Sequence, residues 1–261
     1  MKYNEFILEY NLWGKNIGQF LQWLNEKSDK PWIFLDTETT GLHEDPYEVQ
    51  LTQVSCIVVS YDFEKNIFVE TDSFNKKIKL TDKTKDLIKS STTRIKSVLS
   101  FNHYGKNDAE YSDEHQVLED FYKFLSKYDD PMLVIQNAQF DMKFLNTRDK
   151  HIKFENEVMD TKDVIQLFYL PLIQKLAESD DYYESLIKKI GTSPRDNGLL
   201  SSSLSKIGPA CGVNMSGYHD ALVDCRLVIE VLENIFDLLK NNKGVDIRKY
   251  QSIRIKSIRS I

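Results

Sequence analysis

Three short stretches place residues where they could do chemistry together. The first is Trp32-Ile33-Phe34-Leu35-Asp36-Thr37-Glu38-Thr39-Thr40-Gly41-Leu42. Four consecutive apolar residues predict a buried strand. Side chains two apart on a strand share a face, so Asp36 and Glu38 would stand side by side at the rim of a core. Adjacent carboxylates repel, and a divalent cation is the usual remedy. Gly41 permits a tight turn that redirects the chain. The plainer reading is a strand end with a polar cap.

The second stretch is Gln136-Asn137-Ala138-Gln139-Phe140-Asp141-Met142-Lys143-Phe144-Leu145. It follows a predicted strand at 132–135 and carries Asp141 into the first turns of a helix. Taken alone, Asp141 could be no more than a favourable helix-dipole contact. The third is Tyr218-His219-Asp220-Ala221-Leu222-Val223-Asp224-Cys225. Asp224 falls about one turn into a long amphipathic helix predicted over 219–239, and His219 sits where loop meets helix. Of the five histidines, only His219 has a candidate metal-binding carboxylate so near in sequence.

The elements that must position these residues follow from periodicity. Strand signals at 49–61 and 67–70, with a turn at 64–66 and a third extended piece at 74–80, predict an antiparallel meander beside the first strand. Helices are predicted over 82–99 and over a stretch carrying Val117, Leu118, Phe121, Phe124 and Leu125, with a polar loop at 100–114 between them. Asp129-Asp130-Pro131 stops the second helix. A short strand at 157–160 leads into a helix from Thr161, which Asp160 would cap. Residues 178–198 read as an insertion or exposed helix-loop, and 199–211 as a helix. Trp13, Ile17, Phe20, Leu21 and Leu24 line one helix face within an N-terminal helical extension, residues 1–30. Residues 241–261 form a basic tail carrying Arg248, Lys249, Arg254, Lys256 and Arg259. It reads as a surface terminus or as a contact for nucleic acid or a partner.

The chain has 261 residues, with 41% apolar and 28% charged, which suits a globular fold. No apolar run predicts a membrane span, and the first residues do not resemble a signal peptide. Three sparse cysteines, Cys56, Cys211 and Cys225, point to a reducing, cytoplasmic setting. A net charge of −6 argues against broad electrostatic capture of duplex nucleic acid. It leaves room for a nucleic-acid enzyme, because bound cations offset phosphate repulsion locally.

In order and rough spacing, Asp36-Thr-Glu38-Thr-Thr-Gly-Leu42, Asn137-x-x-Phe140-Asp141-x-x-Phe144-Leu145 and His219-x4-Asp224 resemble the three exonuclease motifs of the DEDDh family. These are the DnaQ-like 3′–5′ exonucleases, and the resemblance spans residues 31–240. It implies an α/β, RNase H-like fold with a five-stranded mixed sheet flanked by helices. It implies two divalent cations, Mg²⁺ or Mn²⁺, held by Asp36, Glu38, Asp141 and Asp224, with His219 as general base. Hard cations choose carboxylate oxygens, and two of them roughly 4 Å apart clamp the attacking and leaving oxygens of a phosphodiester. In a sister subclass a tyrosine four residues before the last Asp is the base. Asp220 stands at that position here, so the histidine subclass is the better match. Gln136 replaces a frequent His and puts any contact of that His in doubt.

The same resemblance puts Thr39 at the terminal 3′ hydroxyl, Leu42 as a wedge against the last base, and Asn137 and Phe140 in the substrate pocket. The expected activity is metal-dependent 3′–5′ hydrolysis of single-stranded DNA, releasing nucleoside 5′-monophosphates. The enzyme would work alone or proofread beside a separate DNA polymerase. The motifs do not separate DNA from RNA, so an exoribonuclease is the near alternative. A non-catalytic nucleic-acid or polymerase-binding module is the distant one.

Overall fold

A computed structural model describes residues 12, 14–41, 49–90, 111–148 and 156–258. Helix α1 (Ile17–Lys27) leads into β1 (Trp32–Thr39), β2 (Leu51–Asp62) and β3 (Ile67–Lys77). Then come α2 (Asp82–Ser90), α3 (Glu114–Leu125), β4 (Met132–Ile135), α4 (Ala138–Arg148) and β5 (Val158–Asp160). A helical run follows as α5 (Thr161–Val164), a π-helical segment (Ile165–Tyr169) and α6 (Leu170–Leu176). The chain continues through α7 (Asp181–Ile190), a 3₁₀ turn (Pro194–Asp196), α8 (Leu204–Ala210), α9 (Ala221–Asn241) and α10 (Arg248–Ile258). Among the described residues no helix is long and apolar enough to cross a membrane.

The sheet is five-stranded, in the order β3-β2-β1-β4-β5. Strands β3, β2 and β1 pair antiparallel, whereas β1, β4 and β5 pair parallel. The expected mixed sheet flanked by helices is therefore present. Its central strand is β1, whose apolar Trp32 to Leu35 are all buried. β4 ends at Ile135, opposite Leu35, while β1 runs on to Thr39. Beyond Leu35, β1 keeps its β2 partner but has no strand on its other side. That free edge faces the functional residues.

The sequence predicted two extended pieces, 67–70 and 74–80, where the structure has one strand, β3. The cause is a register shift between Val58 and Val59 of β2, which pair with Asp72 and Glu70 and leave Thr71 as an extra residue. An extra residue reverses which side chains face which layer, so the period-2 pattern breaks in mid-strand. Phe68 thus joins Trp32, Phe34, Tyr61 and Phe236 on the α9 side. Phe74 packs instead on Phe121 and Phe124 of α3, on the opposite side.

Other boundaries shift as well. The helix predicted over 82–99 is described only as Asp82–Ser90, and the rest of that prediction lies outside the described residues. The helix predicted over 199–211 begins at Leu204, after buried Ser201 and Ser202. The predicted start of the long helix moves from His219 to Ala221, with Asp220 as its N-cap. Residues 178–198 fold as α7 and a short turn closed by a bridge between Thr192 and Leu200.

Both flanking helices pack on the main body. Phe20 of α1 stacks on Phe168 at 4.3 Å between ring centroids. Pro171, at the start of α6, has no N–H to give the Leu167 carbonyl of the π segment. Gln251 of α10 supplies the missing donor, with Nε2 2.8 Å from that oxygen, and it also reaches the Lys15 carbonyl at 3.1 Å. Arg254 is buried and donates to the Leu200 carbonyl. The segment read as a basic tail thus carries a helix seated by specific hydrogen bonds.

Candidate active site

The residues that opened the sequence reading converge at the free edge of β1. Asp36 and Glu38 project from one face of the strand. Helix α9 crosses that face and brings Asp224 from its first turn. Helix α4 follows β4 after only Gln136 and Asn137. That sharp turn places Asn137 at φ 66°, a left-handed conformation that asparagine tolerates better than most residues. Asp141 then lies in the first turn of α4 and is buried.

Asp141 takes the place that a neighbouring strand would have filled. Its Oδ1 accepts the Thr37 backbone N–H at 2.9 Å and the Thr37 hydroxyl at 2.6 Å. Thr37 stands between Asp36 and Glu38, so one residue of β1 fixes the helix-borne carboxylate while its neighbours face the site.

Electrostatics follow from this crowding. Burial first, then the nearby charges of Asp141, Asp224, Glu38 and Asp220, raise the Asp36 carboxyl well above the ordinary aspartate range. Burial pushes Asp141 up to about 7 despite its bonds to Thr37. Burial likewise pushes Asp224 to about 7, opposed by the His219 N–H. Without cations, burial first and the crowding of charge second make these carboxylates easier to protonate than free aspartates.

Ligand atoms of Glu38, His219 and Asp224 all lie within 4.8 Å of one another. His219 sits at φ 76°, and its backbone N–H approaches both Asp224 carboxylate oxygens at 3.2 and 3.4 Å. Its ring lies against Tyr218, 4.0 Å between centroids. Partial burial lowers its pKa, so the imidazole is neutral at physiological pH. Burial holds the Tyr218 phenol protonated, at about 12. The donor set of carboxylates and one imidazole fits Mg²⁺ or Mn²⁺, which such oxygen-rich sites favour.

Three of the four predicted substrate residues, Thr39, Asn137 and Phe140, lie among the described residues. Thr39 is buried, and its hydroxyl donates to the Gly41 carbonyl at 2.6 Å, closing the turn after β1. Phe140 is half-buried, with its ring 4.9 Å from that of Phe144. Asn137 donates its N–H to Asp160 and accepts from Lys162 Nζ at 3.4 Å. Leu42 lies outside the described residues.

Asp160 caps α5 as expected, accepting from Lys162 N. It also accepts from Asn137 N and Ala138 N, so one carboxylate holds the starts of two helices. Gln136, where the resemblance departs, bonds to the Thr161 hydroxyl and donates to the Ser202 carbonyl at 3.2 Å. It straps β4 to the segment before α8. Sequence reasoning passed over Thr37, Gln53, Lys77 and Asp220. An Asp directly before an apolar helix is an N-cap signal that would have marked Asp220. Nothing local marked the other three.

A model of the exonuclease family, RNase T type, matches residues 33–232, from β1 into α9. No curated protein sequence shows significant similarity to the chain. Among solved structures, Escherichia coli exonuclease I in complex with a dT13 oligonucleotide is similar at TM-score 0.53 and 20% identity. That match covers 78% of this chain and 40% of exonuclease I, so the chain spans well under half the length of that neighbour. The nuclease domain of 3′hExo, a DEDDh family member bound to rAMP, is similar at TM-score 0.54 and 15% identity, covering 83% of this chain and 95% of that one. At such identities the two neighbours speak for the RNase H-like fold, whereas the family match rests on the sequence that carries all three acidic motifs. The chain belongs to the RNase T exonuclease family.

Proposed function

We propose that this chain hydrolyses single-stranded DNA from its 3′ end, releasing nucleoside 5′-monophosphates, with residues 31–240 as the catalytic domain. The observation that carries this reading is the gathering of Glu38, His219 and Asp224 within 4.8 Å, beside an Asp36 crowded by Asp141 and Asp224. Asp36, Glu38, Asp141 and Asp224 would hold two divalent cations, Mg²⁺ or Mn²⁺. When bound, such cations offset the carboxylate repulsion, stabilise charge on the phosphoryl oxygens and acidify water. Asp36, whose charge is felt alongside those of three other site carboxylates, would be among the residues that hold the cations.

His219 accepts the proton of the attacking water. Its lowered pKa keeps the ring unprotonated near neutral pH, and its N–H bond to Asp224 fixes where the ring stands. The turn at Thr39 and Gly41 and the half-buried Phe140 offer a surface for the terminal sugar and base, with Leu42 following in sequence and Asn137 at the start of α4. Base stacking on such a surface tolerates any sequence. A proofreading setting beside a DNA polymerase belongs to the same reading.

The dT13 held by the exonuclease I neighbour favours DNA. The rAMP held by the 3′hExo domain favours a second reading, an exoribonuclease with the same residues in the same roles. Incubation of 5′-labelled single-stranded DNA, RNA, and duplex DNA with matched or mismatched 3′ ends separates these readings. Single-stranded DNA should shorten to a ladder in Mg²⁺ or Mn²⁺ and stay intact in EDTA. Faster loss of RNA selects the second reading, and faster trimming of mismatched ends supports proofreading. No shortening of any substrate would overturn the assignment.

A further inference from the structure

The sheet face that carries Asp36 and Glu38 continues as polar rows across two more strands. Residues in matching register on neighbouring strands share a face. Asp36 pairs with Ser55 and Ser55 with Asn75, while Glu38 pairs with Gln53 and Gln53 with Lys77. Two rows of three thus lead from the carboxylates to the edge strand β3. Asn75 Oδ1 accepts from Gln53 Nε2 at 2.9 Å and from Ser55 Oγ at 2.8 Å, which ties the rows together.

The far end of the second row meets the start of α9. Gln53 Nε2 donates to Asp220 Oδ1 at 3.3 Å, and Lys77 Nζ lies 3.6 Å from Asp220 Oδ2. Asp220 in turn caps α9 through the N–H groups of Leu222 and Val223, and its carbonyl accepts the Asp224 N–H at 2.8 Å. It is therefore pinned between His219 and Asp224. His219 occupies a left-handed conformation that costs a non-glycine residue energy and persists only when its surroundings enforce it. Asp220 also adds an anion beside the carboxylate cluster, where it would be repelled outward. Lys77 is the cation that draws it back. Their side chains are only 21% and 19% exposed, so the pair is little screened by water.

We propose that Lys77 and Gln53 are positioning residues for the exonuclease reaction: they hold Asp220, and through it the turn that sets His219 against Asp224. This rests on the exonuclease reading above. Both residues reach the site through Asp220, Gln53 from β2 and Lys77 from the edge strand β3.

Three variants test the idea: Lys77→Met, Lys77→Arg, and Lys77→Met combined with Asp220→Asn. In Lys77→Met, kcat on a single-stranded oligonucleotide in Mn²⁺ should fall on the order of tenfold to a hundredfold, the cost of a misplaced catalytic group. KM and Mn²⁺ affinity should stay within about twofold of wild type. Lys77→Arg should recover most of the rate, and the double variant should be no slower than Lys77→Met, since both act through one pair. Hydrogen exchange at the His219 amide should quicken in Lys77→Met whether or not turnover is seen. Because the exchange arm needs no turnover, an inactive wild-type protein would sink the exonuclease reading alone. Unchanged His219 exchange with unchanged kcat would overturn the positioning role. So would a raised KM at constant kcat, which would put Lys77 on the substrate.

Discussion

The Asp141 carboxylate bonds both the backbone N–H and the hydroxyl of Thr37, a residue 104 positions earlier in the chain. β4 stops opposite Leu35, which frees the Thr37 N–H, and the helix that follows β4 delivers an acceptor to it. The strand that carries two site carboxylates thus orients a third. Thr37→Val keeps the β-branched shape and the backbone bond but removes the hydroxyl. In Mn²⁺ it should lose about 1.5–3 kcal/mol, the usual worth of a hydrogen bond to a charged group. Urea unfolding followed by circular dichroism measures this, and Mn²⁺ titration should show weaker binding.

Asp36→Asn should separate stability from activity. The amide keeps the shape and removes a carboxyl that burial first, and the charges of Asp141, Asp224 and Glu38 next, make costly to ionise. Turnover should drop by on the order of a thousandfold. The metal-free protein should melt higher than wild type, by about 2–4 °C for each kcal/mol of repulsion relieved. Thermal melts in EDTA, paired with the oligonucleotide assay, check both halves.

The metal-free protein should also respond to pH in an unusual direction. Asp141 and Asp224 titrate at about 7 in the folded chain, against about 4 for an unfolded aspartate. Between those values the folded state binds more protons than the unfolded state. Their contribution to stability is therefore complete below about pH 4 and is lost as pH rises through about 7. Melting temperature in EDTA should rise as pH is lowered from 7.5 toward about 5.5, before other carboxylates begin to oppose it. Saturating Mn²⁺ should flatten this slope, because cation binding replaces the protons.

Helix α10 should matter for stability more than for nucleic-acid affinity. Gln251→Ala leaves the carbonyls of Leu167 and Lys15 without their side-chain donor, and Pro171 cannot supply one to Leu167. The expected loss is about 1–3 kcal/mol. The salt dependence of oligonucleotide binding, measured by fluorescence anisotropy, should stay unchanged. A reduced salt slope would instead put the helix against phosphates.

Much of the site was legible because it is locally encoded. Four apolar residues ending in Asp-Thr-Glu state a buried strand and its carboxylates in one short run. The helix periods around Asp141 and Asp224 are equally local, and Asp160 before Thr161 has the plain form of a cap. β3 was misread because its bulge at Thr71 reverses the alternation that marks a strand. The docking of α10 was hidden because a basic, polar segment looks solvated unless its partners are known.

The sequence alone thus determined the residue types of the candidate site, most of the elements that bear them and the family to which the chain belongs. These depend on motifs and periods contained in a few turns or one strand. Only the tertiary structure decided that β1 outlasts β4, that Thr37 holds Asp141, that Lys77 and Gln53 reach Asp220, and that Gln251 completes the helix interrupted by Pro171. The last three join residues far apart in the chain through a hydrogen bond or ion pair. Such a contact leaves no periodic trace, because its partner is chosen by strand register and helix placement rather than by sequence neighbours.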